Sequence, residues 1–452
     1  MSLLSKVLKS IAFTIGSEYG RVFFTIIDFL ILIWVLEQAE YGSYALAISF
    51  AYAASVVPNL GIGKLIISEI TQSLSLGNVG KAADLFFQYC RWGVLSAAGV
   101  LILFVLLSGI FEELYGIGLA LAFFAGLITV CNTGKTIYHI AFISQMRFKD
   151  MALFNVVQYS TRTITLIALV CFAGFGAAGA MASQVISYVL SAIVLAKPFG
   201  EFINTLKSTG TSGKSLLKEY FLSRGKYLFV SGQLIALKEN SMLWLTGIYF
   251  GPDGAALLSA AKKFLEPINI ALGSLEAVAL PLFSSKITEG KEVIANIYFA
   301  FSKFGLYLSI LLSAGFALFL YLFAGFFLPL DYMSALPLFY ILLISEILLG
   351  FGTSQRALLH MLRMQKTFFV DATISLAMML AAFFILQGYF GIESAAMAVS
   401  ASSVIVLIRH YRIMCLPYMK RSIIETLFPT KKDLPLVRRV WRIFKVKIGM
   451  PD

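Results

Sequence analysis

Twelve apolar stretches of roughly twenty residues or more, joined by short connections, restrict this chain more than any other feature. They run near 10–36, 43–68, 88–109, 115–136, 151–173, 177–197, 227–249, 255–284, 300–328, 334–356, 367–387 and 392–413. Lipid offers no partner to a free backbone N–H or C=O, so each stretch is predicted to be a helix. The composition agrees: 59% of residues are hydrophobic and 13% charged, where a soluble domain carries about a quarter as charges. In 452 residues this leaves no room for a large domain outside the membrane. The run after Lys9 is long, charged and without a small-residue cleavage site, so it is expected to be a retained first helix and not a leader. The expected class is an all-α polytopic membrane protein.

The connections fix an orientation. The odd-numbered ones, 37–42, 110–114, 174–176, 250–254, 329–333 and 388–391, hold Glu37, Glu40, Glu112, Glu113, Asp253 and Asp331 and no lysine or arginine. The even-numbered ones hold Lys81, Arg147, Lys149, Lys207, Lys214, Lys218, Arg224, Lys286, Lys291, Arg363 and Lys366. Positive charge marks the cytoplasmic side, so both termini are predicted to be cytoplasmic. The formal charge of +12 is thereby placed against the membrane face, and no nucleic-acid partner is expected.

The longest connection, 198–226, reads as a flexible basic linker. Its stretch 208–215 looks like a phosphate-binding loop, but Ser208 stands where a glycine is needed and no strand precedes it. The tail 414–452 is basic, and over 431–448 Leu436, Val437, Val440, Trp441, Phe444 and Ile448 recur at helical spacing. Arg438, Arg439, Arg442 and Lys445 fill the opposite face, as in a helix lying on an anionic leaflet; a docking site for a cytoplasmic partner is the other reading. Cys90, Cys131, Cys171 and Cys415 are scattered and form no metal or redox motif. His139, His360 and His410 lack partners at ligand spacing. No metal site, cofactor or catalytic constellation is expected, so the chain does not read as an enzyme.

Internal repetition organises the spans. Phe175-Gly-Ala-Ala-Gly-Ala-Met181 returns as Phe390-Gly-Ile-Glu-Ser-Ala-Ala-Met397, an offset of 215–216. Gln145-Met-Arg-Phe-Lys149 parallels Arg363-Met-Gln-Lys-Thr367, and Pro58-Asn59 parallels Pro267-Ile-Asn269. Both halves start inside, so the repeat is parallel, with a cavity expected between two six-helix lobes. The predicted divisions are a first lobe at 1–197, the linker at 198–226, a second lobe at 227–413 and the tail at 414–452. Pro58 and Pro267 are expected to kink their spans.

Ionisable residues within spans cost roughly 2.5–3.5 kcal/mol each at the bilayer centre. Glu18, Arg21 and Asp28 of the first span lie within an arc of about 80°. Lys238 sits near the middle of the seventh span, beside Glu239, and 217 residues after Arg21. In the eighth span Lys262, Glu266, Asn269, Gly273 and Glu276 share one face. The fifth span aligns Asn155, Gln158, Arg162 and Thr165, and Asn59 follows Pro58 in the second. One reading is a water-filled cavity in which Arg21, Lys238 and Lys262 attract an anion. The other is structural, with pairs such as Glu18–Arg21 and Lys262–Glu266 neutralised between packed helices. Arg162 and Lys263 have the reach to snorkel to the cytoplasmic surface. Glu346 and Asp371 lie on otherwise apolar faces.

Glu40-Tyr-Gly-Ser-Tyr-Ala-Leu-Ala-Ile-Ser-Phe50, then Asn59-Leu-Gly-Ile-Gly63 and Glu69-Ile-Thr, resembles the second-helix signature of the polysaccharide flippases. These are the O-antigen and exopolysaccharide transporters of the multidrug/oligosaccharidyl-lipid/polysaccharide (MATE-like) exporter superfamily. Residues 145–200, Phe250-Gly-Pro-Asp-Gly254 and Pro281-Leu-Phe resemble further segments of that family, although Ala255-Ala256 stand where it commonly has a tyrosine. The resemblance implies a V-shaped bundle of two six-helix lobes in a bacterial inner membrane. It implies flipping of an undecaprenyl-diphosphate-linked oligosaccharide to the outer leaflet. Cations in the cavity would meet the diphosphate or an acidic sugar. A proton or sodium ion on Glu18, Asp28 or Glu266 is the candidate coupling ion, and polysaccharide polymerase or assembly proteins are candidate partners. A multidrug or small-cation exporter on the same fold is the alternative. A membrane glycan polymerase or ligase is disfavoured because its usual long external loop is absent from the predicted connections.

Overall fold

The structure, a computed structural model, describes residues 3–207, 216–286, 290–361, 365–410 and 412. The loop motif at 208–215, the tail helix at 431–448 and the side chains of Glu18 and Glu276 lie outside the described residues. Among the described residues, each predicted span is mainly helical. The first half contains α1 (Leu3–Val35), α2 (Gln38–Ala54), α3 (Val56–Asn59), α4 (Gly63–Ser75), α5 (Val79–Leu106) and α6 (Ser108–Tyr115). It continues with α7 (Leu119–Ser144), α8 (Phe148–Leu166), α9 (Gly176–Val194) and α10 (Ala196–Lys207). Then come α11 (Leu216–Tyr220), α12 (Lys226–Lys286), α13 (Lys291–Phe327), α14 (Ala335–Met361), α15 (Gln365–Phe390) and α16 (Glu393–His410). Among the described residues, 8 helical runs are long and apolar enough to cross a membrane. The runs at 10–36, 227–249, 255–284 and 392–413 fall outside that set, and the first three carry the mid-span charges noted above.

Two compact units are present: Met1–Lys263 with Gly325–Leu338, and Phe264–Ala324 with Phe339–Asp452. Packing therefore groups 226–263 and 325–338 with the first half of the sequence. In the first unit α1 lies on α8, α2 on α7 and α9, and α5 on α7. Small residues permit the close crossings that membrane helices need. A Cβ at Gly93 would sit 3.1 Å from Thr133, and one at Gly126 would overlap Leu101. The second unit repeats the device, with Gly305 against the Gly350 carbonyl and Gly350 against Ser309.

Backbone geometry echoes the sequence repeat. Gly176 (φ 54), the first residue of α9, and Gly391 (φ 56), two residues before α16, both take left-handed backbone in the matched Phe-Gly pairs. Gly77 (φ 71) and Gly290 (φ 104) do the same at the connections before α5 and α13.

Three expectations change. Residues 198–207, read as flexible linker, are helical, and α10 buries Phe202 and Leu206 against Ile66, Ile70, Phe86 and Ile137. Burying such side chains stabilises this helix by about 1.5–3 kcal/mol each, which favours an ordered element over a linker. Span two is broken rather than merely kinked: after Pro58 the chain passes through Leu60 (φ 52) and Gly61 (φ 60) before α4. Pro267, by contrast, keeps helical dihedrals, and the non-helical residue inside α12 is Gly251 (φ 69). Pro252 then opens the continuing helix, a position where its missing N–H costs nothing.

Candidate functional site

The first unit contains a buried polar network built from five helices. Asp28 of α1 is 1% exposed and Arg162 of α8 is 9% exposed. Arg162 Nε lies 3.2 Å from Asp28 Oδ2. Thr163 Oγ1 donates to Asp28 Oδ1 at 2.5 Å, and Arg162 Nη2 donates to the Tyr44 hydroxyl at 2.9 Å. The pair cancels one negative and one positive charge where lipid and packed helices exclude water. Each charge retains further polar contacts, the condition under which a buried pair is tolerated.

The network extends along α8 and α9. Gln158, one helical turn before Arg162, accepts from Lys135 Nζ at 2.8 Å. That ammonium also lies 5.4 Å from the Tyr159 ring centroid and 5.9 Å from that of Tyr188, within cation–π range. Gln184 Nε2 donates to the Tyr52 hydroxyl at 2.9 Å and to that of Tyr188 at 3.3 Å. Tyr52 stays exposed while Gln158, Gln184 and Tyr188 are buried. Tyrosine faces, carboxamides and a cation suit the faces and hydroxyls of a sugar ring and an attached anion.

The first residues of the Glu40–Phe50 segment make specific tertiary contacts. Glu40 Oε1 accepts the Ala177 N–H at 2.7 Å, so its carboxylate sits at the N-terminus of α9, where the helix dipole favours it. Tyr41 is buried, with its hydroxyl 3.4 Å from Ser259 Oγ and its ring edge-on to Tyr332. Tyr44 holds Arg162.

The residues predicted from sequence are dispersed. Asp28 and Arg162 meet; Arg162 does not snorkel, because its guanidinium is buried on Asp28 and Tyr44. Arg21 and Lys238 are half-buried members of the first unit. Lys262 Nζ donates to the backbone carbonyl of Glu239 at 2.8 Å, tying together the helical segments of α12 before and after Gly251, while the Glu239 side chain is exposed. Asn59 is half-buried at the α3 break, and its backbone carbonyl accepts from Tyr89 at 3.3 Å. Glu266 is half-buried in the second unit. There Asn269 Nδ2 donates to Glu346 Oε1 at 3.2 Å, and Arg409 lies 2.9 Å from Asp371. Glu346 and Asp371 therefore have polar partners on the faces that looked apolar.

Sequence reasoning missed Tyr44, Tyr52, Lys135, Tyr159, Thr163, Gln184 and Tyr188. Lys135 was findable: the predicted span ended at 136, which left it near the lipid surface, but α7 runs on to Ser144.

Residues 7–286 match the family described as polysaccharide biosynthesis protein. No curated protein matches the chain in sequence. Among solved structures, it resembles an inward-facing multidrug resistance MATE family transporter of the MOP superfamily. That match has a TM-score of 0.73 at 14% identity, over 89% of this chain and 96% of the other. It also resembles the lipid II flippase MurJ in an inward closed conformation, with a TM-score of 0.69 at 15% identity over 98% and 94% of the two chains. A MOP superfamily transporter from Pyrococcus furiosus aligns with a TM-score of 0.64 at 14% identity, over 92% and 96%. At these identities the likeness is one of fold: a polytopic all-α membrane bundle of the MATE and MurJ type. The sequence match, which spans more than half the chain, goes further: the chain belongs to the polysaccharide biosynthesis protein family.

Proposed function

We propose that the protein flips an undecaprenyl-diphosphate-linked oligosaccharide from the cytoplasmic to the outer leaflet of a bacterial inner membrane, for O-antigen or another surface polysaccharide. The match of residues 7–286 to a polysaccharide biosynthesis family carries this reading. Twelve spans with cytoplasmic termini, in two six-helix lobes, are the topology it uses; the basic even-numbered connections support that orientation. The headgroup crosses through the polar interior while the polyprenyl chain stays in lipid. Lys135 with its tyrosines, together with Arg21, Lys238 and Lys262, offsets the loss of water around the diphosphate and sugars. Outward movement of negative charge is favoured by an inside-negative potential, by about 2.3 kcal/mol per charge per 100 mV. Asp28 is committed to Arg162, which leaves Glu18 and Glu266 as candidate carriers of a coupling proton or sodium ion. Polymerase or assembly proteins would receive the product on the outer face.

The test is surface glycan in a strain lacking the gene. Restoration by the intact chain, and reduced display with Arg21→Ala plus Lys238→Ala at equal protein level, is expected. Glycan that persists without the gene rejects the flippase reading. Full display from the double variant rejects the anion role of those two cations.

A further inference from the structure

Three helices of the first unit hold the Lys135 pocket at a single depth. Counted from the helix ends that meet the basic connections, Lys135 lies nine residues before Ser144, Gln158 ten residues after Phe148 and Gln184 ten residues before Val194. At 1.5 Å per residue each is about 14–15 Å into its helix, near the middle of a ~30 Å hydrocarbon core. Polar groups at that depth are costly and point to a polar passenger. Gln158, Gln184 and Tyr188 are buried, whereas Tyr52, whose hydroxyl accepts from Gln184, is 42% exposed and forms the open edge.

Two buried oxygens here have no hydrogen-bond partner among the described residues. One is Gln184 Oε1; the other is Asn155 Oδ1, one turn before Gln158 and Tyr159 on α8, which packs on α9. Both are carboxamide oxygens, so both accept and neither donates. Buried polar atoms are nearly always paired, and two orphans of one kind on adjoining helices need a common explanation. A ligand that satisfies them must bring donors. A diphosphate substituted at both ends is ionised at neutral pH and brings only acceptors. A sugar ring brings hydroxyl or acetamido donors, and its C–H faces pack well on tyrosine rings. Its oxygens can in turn accept from the Lys135 ammonium, which the rings of Tyr159 and Tyr188 flank at 5.4 and 5.9 Å.

We propose that this pocket is a monosaccharide subsite within the first unit. Asn155 and Gln184 accept from sugar hydroxyls or an acetamido N–H, Tyr159 and Tyr188 pack against the ring, and Lys135 donates to a sugar oxygen. The proposal rests on the flippase reading for the origin of the sugar, the headgroup of a lipid-linked oligosaccharide, and it narrows that reading. The pocket reads the glycan and not the diphosphate, whose charge falls to Arg21, Lys238 and Lys262. Selectivity for the sugar therefore resides on α7, α8 and α9.

The test is saturation-transfer NMR on the full chain, purified in a detergent without a sugar headgroup, with N-acetylglucosamine, galactose and glucuronate as probes. Transfer to the ring protons of at least one sugar is expected, and an equal concentration of pyrophosphate should leave it in place. Asn155→Leu and Gln184→Met each remove one orphaned oxygen, and each should weaken binding about tenfold, the scale of one lost hydrogen bond. Asn155→Asp keeps Oδ1 and should retain binding. Thermal unfolding shows whether the variants stay folded; if neither does, the pyrophosphate competition on the intact chain decides alone. No transfer to any of the three sugars, displacement by pyrophosphate, or unaltered binding in both folded variants overturns the proposal. Two outcomes separate it from the flippase reading. Sugar binding as expected, in a chain whose loss leaves surface glycan intact, keeps the subsite and rejects the flippase. Glycan that depends on the gene, with no sugar bound, keeps the flippase and rejects the subsite.

Discussion

Asp28 in the first unit and Glu346 in the second are both carboxylates buried inside helix bundles, 1% and 7% exposed. Their surroundings differ. Asp28 faces a guanidinium at 3.2 Å and a threonine hydroxyl at 2.5 Å. Glu346 Oε1 meets only the Asn269 carboxamide at 3.2 Å, Oε2 has no hydrogen-bond partner among the described residues, and the Arg356 charge acts from ten residues along the same helix. One arrangement is a locked, self-neutralised pair that joins α1 to α8. The other joins α12 to α14 by a single neutral donor and leaves an oxygen uncommitted. Closed pairs fix a bundle; loosely held carboxylates are where a bundle can still exchange partners.

The comparison is broken most directly at Arg162. Arg162→Ala leaves the Asp28 charge buried and unpaired, with an expected cost of about 3–5 kcal/mol. Thermal unfolding of the purified protein in detergent measures it. Pairing Asp28→Asn with Arg162→Met should recover much of that loss, because no charge is then stranded; a double variant as unstable as the sum of the singles would show that the two do not act as a pair. Next in size, Glu346→Ala should cost about 1.5–3 kcal/mol through the lost bond to Asn269, and Glu346→Gln much less. If Glu346→Ala proved as damaging as Arg162→Ala, the contrast between the two carboxylates would not stand. Smallest is Tyr44→Phe, which removes a hydroxyl from Arg162 but keeps its partner Asp28. About 0.5–1.5 kcal/mol is expected, and a larger loss would place the anchor of the network on α2 and not on α1.

How much was legible beforehand follows from range. The apolar runs had to be helices wherever they fell, so the positions of the spans came from local composition. The Phe-Gly pairs at 175–176 and 390–391 matched in sequence and then in backbone, because a left-handed glycine is a local requirement. The candidate site was read less well. Asp28 and Arg162 were each singled out, but they stand 134 positions apart on different helices. Within its own helix Asp28 shared an arc with Glu18 and Arg21, so the local pattern suggested the wrong partners. Lys135 was lost to a span boundary drawn eight residues short of Ser144. The helix at 198–207 was hidden because Phe202 and Leu206 reveal their role only once Phe86 and Ile137 are beside them.

The sequence by itself determined that this chain is a helical membrane protein, and which connections carry the positive charge. Lipid enforces both through each residue's own transfer energy, without reference to distant neighbours. Only the tertiary structure decided that Arg162 neutralises Asp28, that Lys135 lies among tyrosines, and that Gly42 rests on the Pro252 carbonyl. Those are pairings between helices remote in sequence, and their strength depends on distance and orientation, which a periodic apolar pattern does not encode.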